Sequence, residues 1–316
     1  MAGGESERRR ADMGVIVALP VECAAVLSVL DGYEVLPPTQ LDPNTYYLGK
    51  VVTAGSEKGA REPTAVVVAQ CPKMGNNGSA MVAKDLIRSF RTQHIVMVGI
   101  AAGIPSPKSH DKHVRLGDVV VSYGAGVVQY DLMKRHPDGR LEIRSTLPPA
   151  SRILTGAVDF LETARLQGDV SWTKHIERTG QLGQRPPDSS DVLHILRGKS
   201  SQRWIKLEHP NDDRTPGVPK VHRGLIGSGN CLMKDVTERD RLAQDEGILA
   251  LEMEGAGIAD AAWNQSEVAD YLVIRGISDY ADREKNNVWQ PYAAAVAAAY
   301  FRAVIMTDVI PFAGGE

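Results

Sequence analysis

Segments rich in β-branched residues alternate along this chain with stretches of helical spacing, and that alternation restricts it to an α/β layer fold with a largely buried sheet. The strand candidates are Gly14 to Leu19, Tyr46 to Val52, Thr64 to Gln70, His94 to Ile100, Asp118 to Ser122, Gly224 to Gly229, Ile248 to Met253 and Tyr271 to Ile277. So many strands imply an extended or partly barrel-like sheet. Helices are expected over Val21 to Leu30, Asn77 to Phe90, Arg152 to Arg165, Thr237 to Glu246, Gly255 to Asn264 and Pro291 to Thr307. In the second of these Ala80, Ala83, Leu86, Ile87 and Phe90 share one face, as in a helix lying on a sheet.

With 316 residues the chain can hold one large core or two small ones, because single cores stop growing near ~250 to 300 residues. One domain over residues 13–308 with an insertion at about 147–220 is the favoured division, since that stretch collects Pro186-Pro187, Pro210 and Pro216-Gly217-Val218-Pro219 with few apolar runs. Residues 1–12, polar and carrying Arg8, Arg9 and Arg10, are expected to be a disordered arm, and residues 309–316 a tail.

Lys and Arg total 36 against 39 Asp and Glu, a net charge of −3, so bulk charge offers no footprint for nucleic acid or an anionic membrane. The most apolar stretches, Ile95 to Ile104 and Ala293 to Phe301, fall short of the ~20 residues a membrane span needs. Cys23, Cys71 and Cys231 are widely spaced, without a C-x-x-C pair, which argues against a disulfide framework or structural zinc. A reducing, cytoplasmic setting is the corresponding expectation.

Four clusters place polar residues at the ends of strands, where ligands bind in open α/β sheets. Ala18-Leu19-Pro20-Val21-Glu22 puts an acid in the first turn of a helix, whose dipole favours the ionised form that a general base needs. Val98-Gly99-Ile100-Ala101-Ala102-Gly103 runs an apolar strand into small residues that let a ligand, or a helix, approach closely. It is not G-x-G-x-x-G, and no G-x-x-x-x-G-K-[ST] occurs. In Leu251-Glu252-Met253-Glu254-Gly255-Ala256-Gly257 two carboxylates share a strand face and need partners such as sugar hydroxyls, while the glycines leave room for a bulky ligand. Ile274-Arg275-Gly276-Ile277-Ser278-Asp279 places Asp279 where burial would raise its pKa above the ~3.9 of a free Asp, as an acid catalyst requires. Each cluster alone also has an ordinary structural reading; the case rests on all four together.

Taken in order, A-L-P-x-E, M-G-N-N-G-S-A, V-G-I-A-A-G-I-P, L-G-D-V-V-V-S, G-L-I-G-S-G-N, L-E-M-E-G-A and I-R-G-I-S-D-Y-A-D resemble the nucleoside phosphorylase superfamily, above all the methylthioadenosine/S-adenosylhomocysteine nucleosidases. The likeness covers roughly Met13 to Leu147 and Val221 to Asp308, and implies a three-layer fold with a central mixed, partly barrel-like sheet flanked by helices. Val127-Val128-Gln129-Tyr130-Asp131, Ser228-Gly229-Asn230 with Met233-Lys234-Asp235, and Asp279-Tyr280-Ala281-Asp282 with Trp289-Gln290-Pro291-Tyr292 look more narrowly like the nucleosidase domains of NLR-type and bacterial antiviral proteins, which implies adenine nucleotides such as ATP as substrates and a role in defence.

The resemblance also implies roles. Asp279 matches the acid that protonates N7 of the departing purine, with Ser278 orienting it, and Glu22 the base that activates water. Glu254 matches the residue holding the ribose hydroxyls and Met253 the one packing on the sugar. Leu232 and Met233 fall in the base pocket, although an aromatic residue often stands at the position of Leu232, so stacking on the purine would be weaker or come from elsewhere. Such a pair of carboxyl groups suits the reaction, because breaking an N-glycosidic bond builds positive charge on the ribose and negative charge on the base. No metal or organic cofactor is implied, and His110 and His113 read as loop residues.

Phosphorylases of this superfamily hold phosphate with an Arg and a Ser in the strand matching Ile95 to Gly103, where this chain has Met97 and Ile100, apolar groups that cannot satisfy a phosphate dianion. Hydrolysis is therefore expected, with Ile100 and Ala101 on the wall of the site. Lys108, Lys112, His113, Arg115, Lys134, Arg135, Lys220 and Arg223, and the backbone N–H groups at Asn76 and Asn77, are candidates for a polyphosphate tail. The leading expectation is an adenine nucleosidase acting on ATP-type substrates, with a purine nucleoside or nucleotide as its partner molecule, a homo-oligomeric state and a defence-system signalling partner. A methylthioadenosine/S-adenosylhomocysteine nucleosidase, a phosphorylase and a catalytically silent sensing module are the alternatives.

Overall fold

The runs of Val and Ile are buried on both faces because helices cover a central sheet on two sides. The structure, a computed structural model, describes residues 10–59, 62–109, 112–197, 203–210, 214–264 and 269–312. The expected arm over residues 1–9, the last four residues of the tail and His110 lie outside them. Ala11 and Asp12, expected in the arm, are already fixed: the Ala11 N–H donates to the Phe90 carbonyl and the Asp12 carboxylate accepts the Ala65 N–H. Likewise Ile310, in the expected tail, is buried, and the Pro311 carbonyl lies 3.1 Å from His94 Nε2.

In chain order the strands are β1 (Met13–Val17), β2 (Tyr33–Leu36), β3 (Tyr46–Val51), β4 (Thr64–Gln70), β5 (His94–Gly103), β6 (Val119–Gln129), β7 (Met133–Arg135), β8 (Leu141–Ile143), β9 (Leu193–Arg197), β10 (Arg203–Leu207), β11 (Val221–Ser228), β12 (Ile248–Glu252) and β13 (Asp270–Asp279). The helices are α1 (Pro20–Ser28), α2 (Ala54–Glu57), α3 (Asn76–Phe90), α4 (Arg152–Leu166), α5 (Val236–Glu246), α6 (Gly255–Trp263) and α7 (Gln290–Met306). All eight expected strands and six expected helices are found, with boundaries shifted by a few residues at most except where β5 and β6 run on.

Nine strands form one mixed sheet in the order β12-β11-β6-β13-β5-β1-β4-β3-β2. Ala250 and Leu251 of β12 also pair antiparallel with Gly103 and Ala102 of β5, which curls the first five strands into a closed barrel-like unit. β7–β8 and β9–β10 are separate hairpins. Helices α1 and α7 pack together, as do α3 and α6, and the sheet lies between the two pairs. The close fit of α3 on α6 needs Gly257, since a Cβ there would run into the Asn76 carbonyl oxygen. Among the described residues no helix is long and apolar enough to cross a membrane.

The expected insertion is less loop-like than its composition implies. α4 packs on α7 and β13, and a 3₁₀ segment over Ser171–Gly183 lies along α7, with Trp172 edge-on to Tyr300 at 5.2 Å. The β9–β10 hairpin adds a small sheet where turns dominate the sequence.

Candidate active site

The carboxyl-terminal parts of β5, β12 and β13 and the residues just after β1 line one cavity of about 310 Å³, at the small end of the ~300–1,000 Å³ range of small-molecule sites. Its wall includes every site residue expected from the sequence: Glu22, Ile100, Ala101, Leu232, Met233, Glu252, Met253, Glu254, Ser278 and Asp279. Glu22 and Asp279 thus meet from opposite ends of the chain, as the resemblance requires.

Glu22 sits on the third residue of α1, immediately after β1, and folds back over the helix start. Its Oε2 accepts the N–H groups of Ala18 and Leu19 at 2.7 and 2.8 Å, and Oε1 accepts the Ile100 N–H at 2.7 Å. Burial nevertheless raises its pKa, opposed by Arg275, whose Nη1 lies 3.9 Å away, and by the three N–H bonds. The acid is therefore rigidly aimed and more basic than a surface glutamate.

Asp279 ends β13 at a bulge: Ile277 faces Ala101 and Asp279 faces Ala102, so Ser278 is the extra residue. An extra residue breaks the alternation of a strand, and here it turns both Ser278 and Asp279 into the cavity. Asp279 Oδ2 receives the Ser278 hydroxyl at 3.0 Å and Lys285 Nζ at 2.8 Å, while Oδ1 accepts the Ala281 N–H at 2.9 Å. The expected burial of Asp279 is found, and the buried carboxyl is surrounded by donors. Lys285 had no role in the sequence reading; it comes from a loop with no regular spacing to point it out.

Glu254 closes the cavity beside Met253. Its Oε1 accepts the Gly75 N–H at 3.1 Å just ahead of α3, and Oε2 lies 3.2 Å from Arg275 Nη2. Burial raises its pKa against the pull of Arg275. Glu252 is differently employed: its oxygens accept the Glu254 and Gly255 N–H groups and pair with Arg275. These donors answer the expected cost of two adjacent carboxylates, so Glu252 acts as the support beneath Glu254.

Arg275, fully buried on β13, is the shared counter-charge of Glu22, Glu252 and Glu254. In the sequence it stands inside the I-R-G-I-S-D motif, where an arginine in an otherwise apolar strand is the one signal of such a role. The small residues beside the acids serve this charge cluster: a Cβ on Gly99 would collide with Arg275 and Glu22, and one on Gly255 would lie 2.9 Å from Glu252 Oε1. The room attributed to ligand is thus taken by protein. Tyr130, also without an assigned role, lines the cavity with its hydroxyl donating to the Cys231 carbonyl at 3.0 Å.

The candidates for a polyphosphate tail do not gather here. Lys108, Lys112, Lys220 and Arg223 line a different groove of about 860 Å³ with Ile104, Ile248 and Leu249, near the starts of β11 and β12 rather than their ends. Arg115 pairs with Asp191, and His113 is buried against His209. Lys134 and Arg135 are exposed on β7. At the start of α3 the Gly75 and Asn76 N–H groups are taken by Glu254 and by the Asn230 side chain. Among the described residues no cluster of His, Cys, Asp and Glu has the arrangement of a metal site.

A closed mixed sheet whose strand ends converge on one cavity lined by Asp279, Glu22 and Glu254 is the nucleoside phosphorylase-like α/β architecture. The chain belongs to the Phosphorylase superfamily, whose family model matches residues 12–310. A nucleotide-binding leucine-rich repeat (NLR)-like protein of Hyaloscypha variabilis is 32% identical over 93% of this chain and 29% of its own length. The ATP nucleosidase Cap17 of Escherichia coli is 26% identical over 90% of this chain and 49% of its own. The chain therefore spans half or less of these two relatives. The fold is that of the Helicobacter pylori 5'-methylthioadenosine/S-adenosyl homocysteine nucleosidase, with a TM-score of 0.62 at 17% identity over 94% of this chain and 98% of that one.

Proposed function

We propose that this chain hydrolyses the N-glycosidic bond of adenine nucleosides and nucleotides, ATP included, to free adenine and the corresponding ribose product. The observation that carries the reading is the arrival of Glu22 and Asp279 in one cavity whose lining also holds Glu254 and Met253. Water attacks C1' as Glu22 takes its proton, the C1'–N9 bond breaks, and Asp279 delivers a proton to N7 so that the base leaves neutral. Glu254 holds the ribose hydroxyls, Met253 packs on the sugar, and Met233, Leu232 and Tyr130 enclose the base. One acid and one base acting at the two ends of the breaking bond contribute about 10²- to 10⁴-fold each.

Water rather than phosphate is the nucleophile in this reading, because Ile100, which lines the cavity, offers no hydroxyl to a phosphate dianion, and Met97, at the position matching the phosphorylases' Arg, is apolar and buried in the core. The ATP preference draws on the likeness to Cap17. A role in antiviral defence, a cytoplasmic location, a homo-oligomer and a signalling partner belong to the same proposal.

The test is to incubate the protein with ATP, AMP, adenosine and 5'-methylthioadenosine in phosphate-free buffer and follow adenine by chromatography. Adenine and ribose 5-triphosphate from ATP are expected. Release from the thioether alone would replace the nucleotide reading with the methylthioadenosine one, and a requirement for phosphate would make the enzyme a phosphorylase.

A further inference from the structure

The residue after the proposed acid, Tyr280, is bound by Arg239 of α5, by the Leu116 N–H and, from the 147–220 insertion, by Asp191. Asp279 Oδ1 accepts the Ala281 N–H across a turn whose centre is Tyr280. Ala281 has φ +51°, the left-handed region that a residue with a Cβ enters at a cost in free energy. Something must fix such a turn, and Tyr280 is fixed at both ends. Its carbonyl accepts Arg239 Nη1 from α5 at 2.6 Å, and its buried hydroxyl donates to Asp191 Oδ1 at 2.7 Å while accepting the Leu116 N–H at 3.3 Å.

Asp191 is itself braced. Arg115 Nε reaches its Oδ2 at 2.9 Å, and His209 Nε2 lies 3.0 Å from its carbonyl oxygen and 3.3 Å from Oδ1. The Ser106 N–H donates to His113 Nδ1, so His113 carries its proton on Nε2 and offers it to His209 Nδ1 at 3.0 Å. That leaves the His209 proton on Nε2, aimed at Asp191. Arg115 and Leu116 belong to a loop anchored on buried Asp118, which accepts the Arg115 N–H and pairs with Arg214 and His222. A tyrosine, three histidines, three arginines and two aspartates thus form a continuous strut between the insertion and the Asp279 turn.

We propose that Asp191, acting through the Tyr280 hydroxyl, is a positioning residue that holds the Asp279 carboxyl at its working angle to the purine. The inference rests on the assignment of Asp279 as the acid. It gives the insertion a part in catalysis: the acid is seated by this region and not by β13 alone. Burial and the neighbouring Asp191 raise the Tyr280 pKa well above its ordinary value, so the hydroxyl keeps the proton it donates.

The test compares Tyr280→Phe and Asp191→Ala in the full chain, each also combined with Asp279→Asn, by adenine release from ATP and adenosine and by thermal melting. A misplacement of about 1 Å at a reacting group costs about 10²-fold, so Tyr280→Phe is expected to lower kcat by about 10- to 10²-fold with KM nearly unchanged. In the Asp279→Asn background the same change should cost almost nothing further, because the group it positions is gone. Wild-type kcat in Tyr280→Phe overturns the inference and leaves the nucleosidase reading intact. So does a loss that multiplies in full on top of Asp279→Asn, which is the mark of general damage. If Asp279→Asn keeps wild-type turnover, or the wild type releases no adenine, the site reading fails and this inference falls with it.

Discussion

Arg275→Met separates the charge cluster from the rest of the fold. The substitution keeps an unbranched apolar stem on β13 and removes the guanidinium that faces Glu22, Glu252 and Glu254. Removing one partner of a buried ion pair costs about 3–5 kcal/mol, since it leaves an uncompensated charge. That is a large part of the ~5–15 kcal/mol that holds a domain together. The loss should depend on pH in a definite direction. Glu22 and Glu254 already have pKa values raised above the glutamate value of 4.5, so the folded state binds more protons than the unfolded one in the window above that value. Stability therefore falls as pH rises through the window. Without Arg275 the native values climb further, the window extends upward, and each added unit is worth about 1.4 kcal/mol. Urea unfolding followed through the fluorescence of buried Trp172 and Trp289 should show the full loss near about pH 8 and a much smaller one near about pH 5. An equal loss at both values, or one that grows towards acid, would refute the reasoning that Arg275 works as the counter-charge of these carboxylates.

The raised pKa of Glu22 also sets the acid limb of turnover: a base must be ionised, so kcat/KM should fall with decreasing pH through a value above 4.5, and a limb at the ordinary glutamate value would remove Glu22 from that role. Gly99→Ala forces a methyl group into Arg275 and Glu22, and should abolish most adenine release; wild-type kinetics would show that the acid does not need its present seat. Gly257→Ala pushes α6 from α3 at the Asn76 carbonyl, with an expected loss of about 1–3 kcal/mol or more in denaturant unfolding, and an unchanged midpoint would mean the helices can separate freely.

The sheet could be read from the chain because its strands are long Val and Ile runs and its helices carry clear apolar faces, as in the Ala83, Leu86 and Phe90 stripe of α3. The edge strand β2, Tyr33–Leu36, escaped because it is largely exposed and leaves no alternating pattern. The 3₁₀ segment and the role of Asp191 escaped because their partners are far away in sequence: Trp172 finds Tyr300, and Asp191 finds Arg115 and Tyr280. For the site, the resemblance carried by the ordered motifs placed Glu22, Glu254 and Asp279 together, which no single cluster could do. What stayed hidden was everything that depends on three-dimensional neighbours. Arg275 looks like one residue of a motif until three carboxylates surround it. Gly99 looks like room for a ligand until the side chains that fill the space are seen. Lys108 and Lys220 look like phosphate ligands in sequence, yet they line a groove at the other end of the strands.

Adenine release from ATP by the wild-type chain and by Asp279→Asn, side by side in phosphate-free buffer, bears on the whole account at once. The wild type should liberate adenine with ribose 5-triphosphate, and the variant should be slower by about 10²- to 10⁴-fold because N7 leaves unprotonated. Equal rates in the two proteins, or no adenine from any adenine nucleoside or nucleotide, would contradict it.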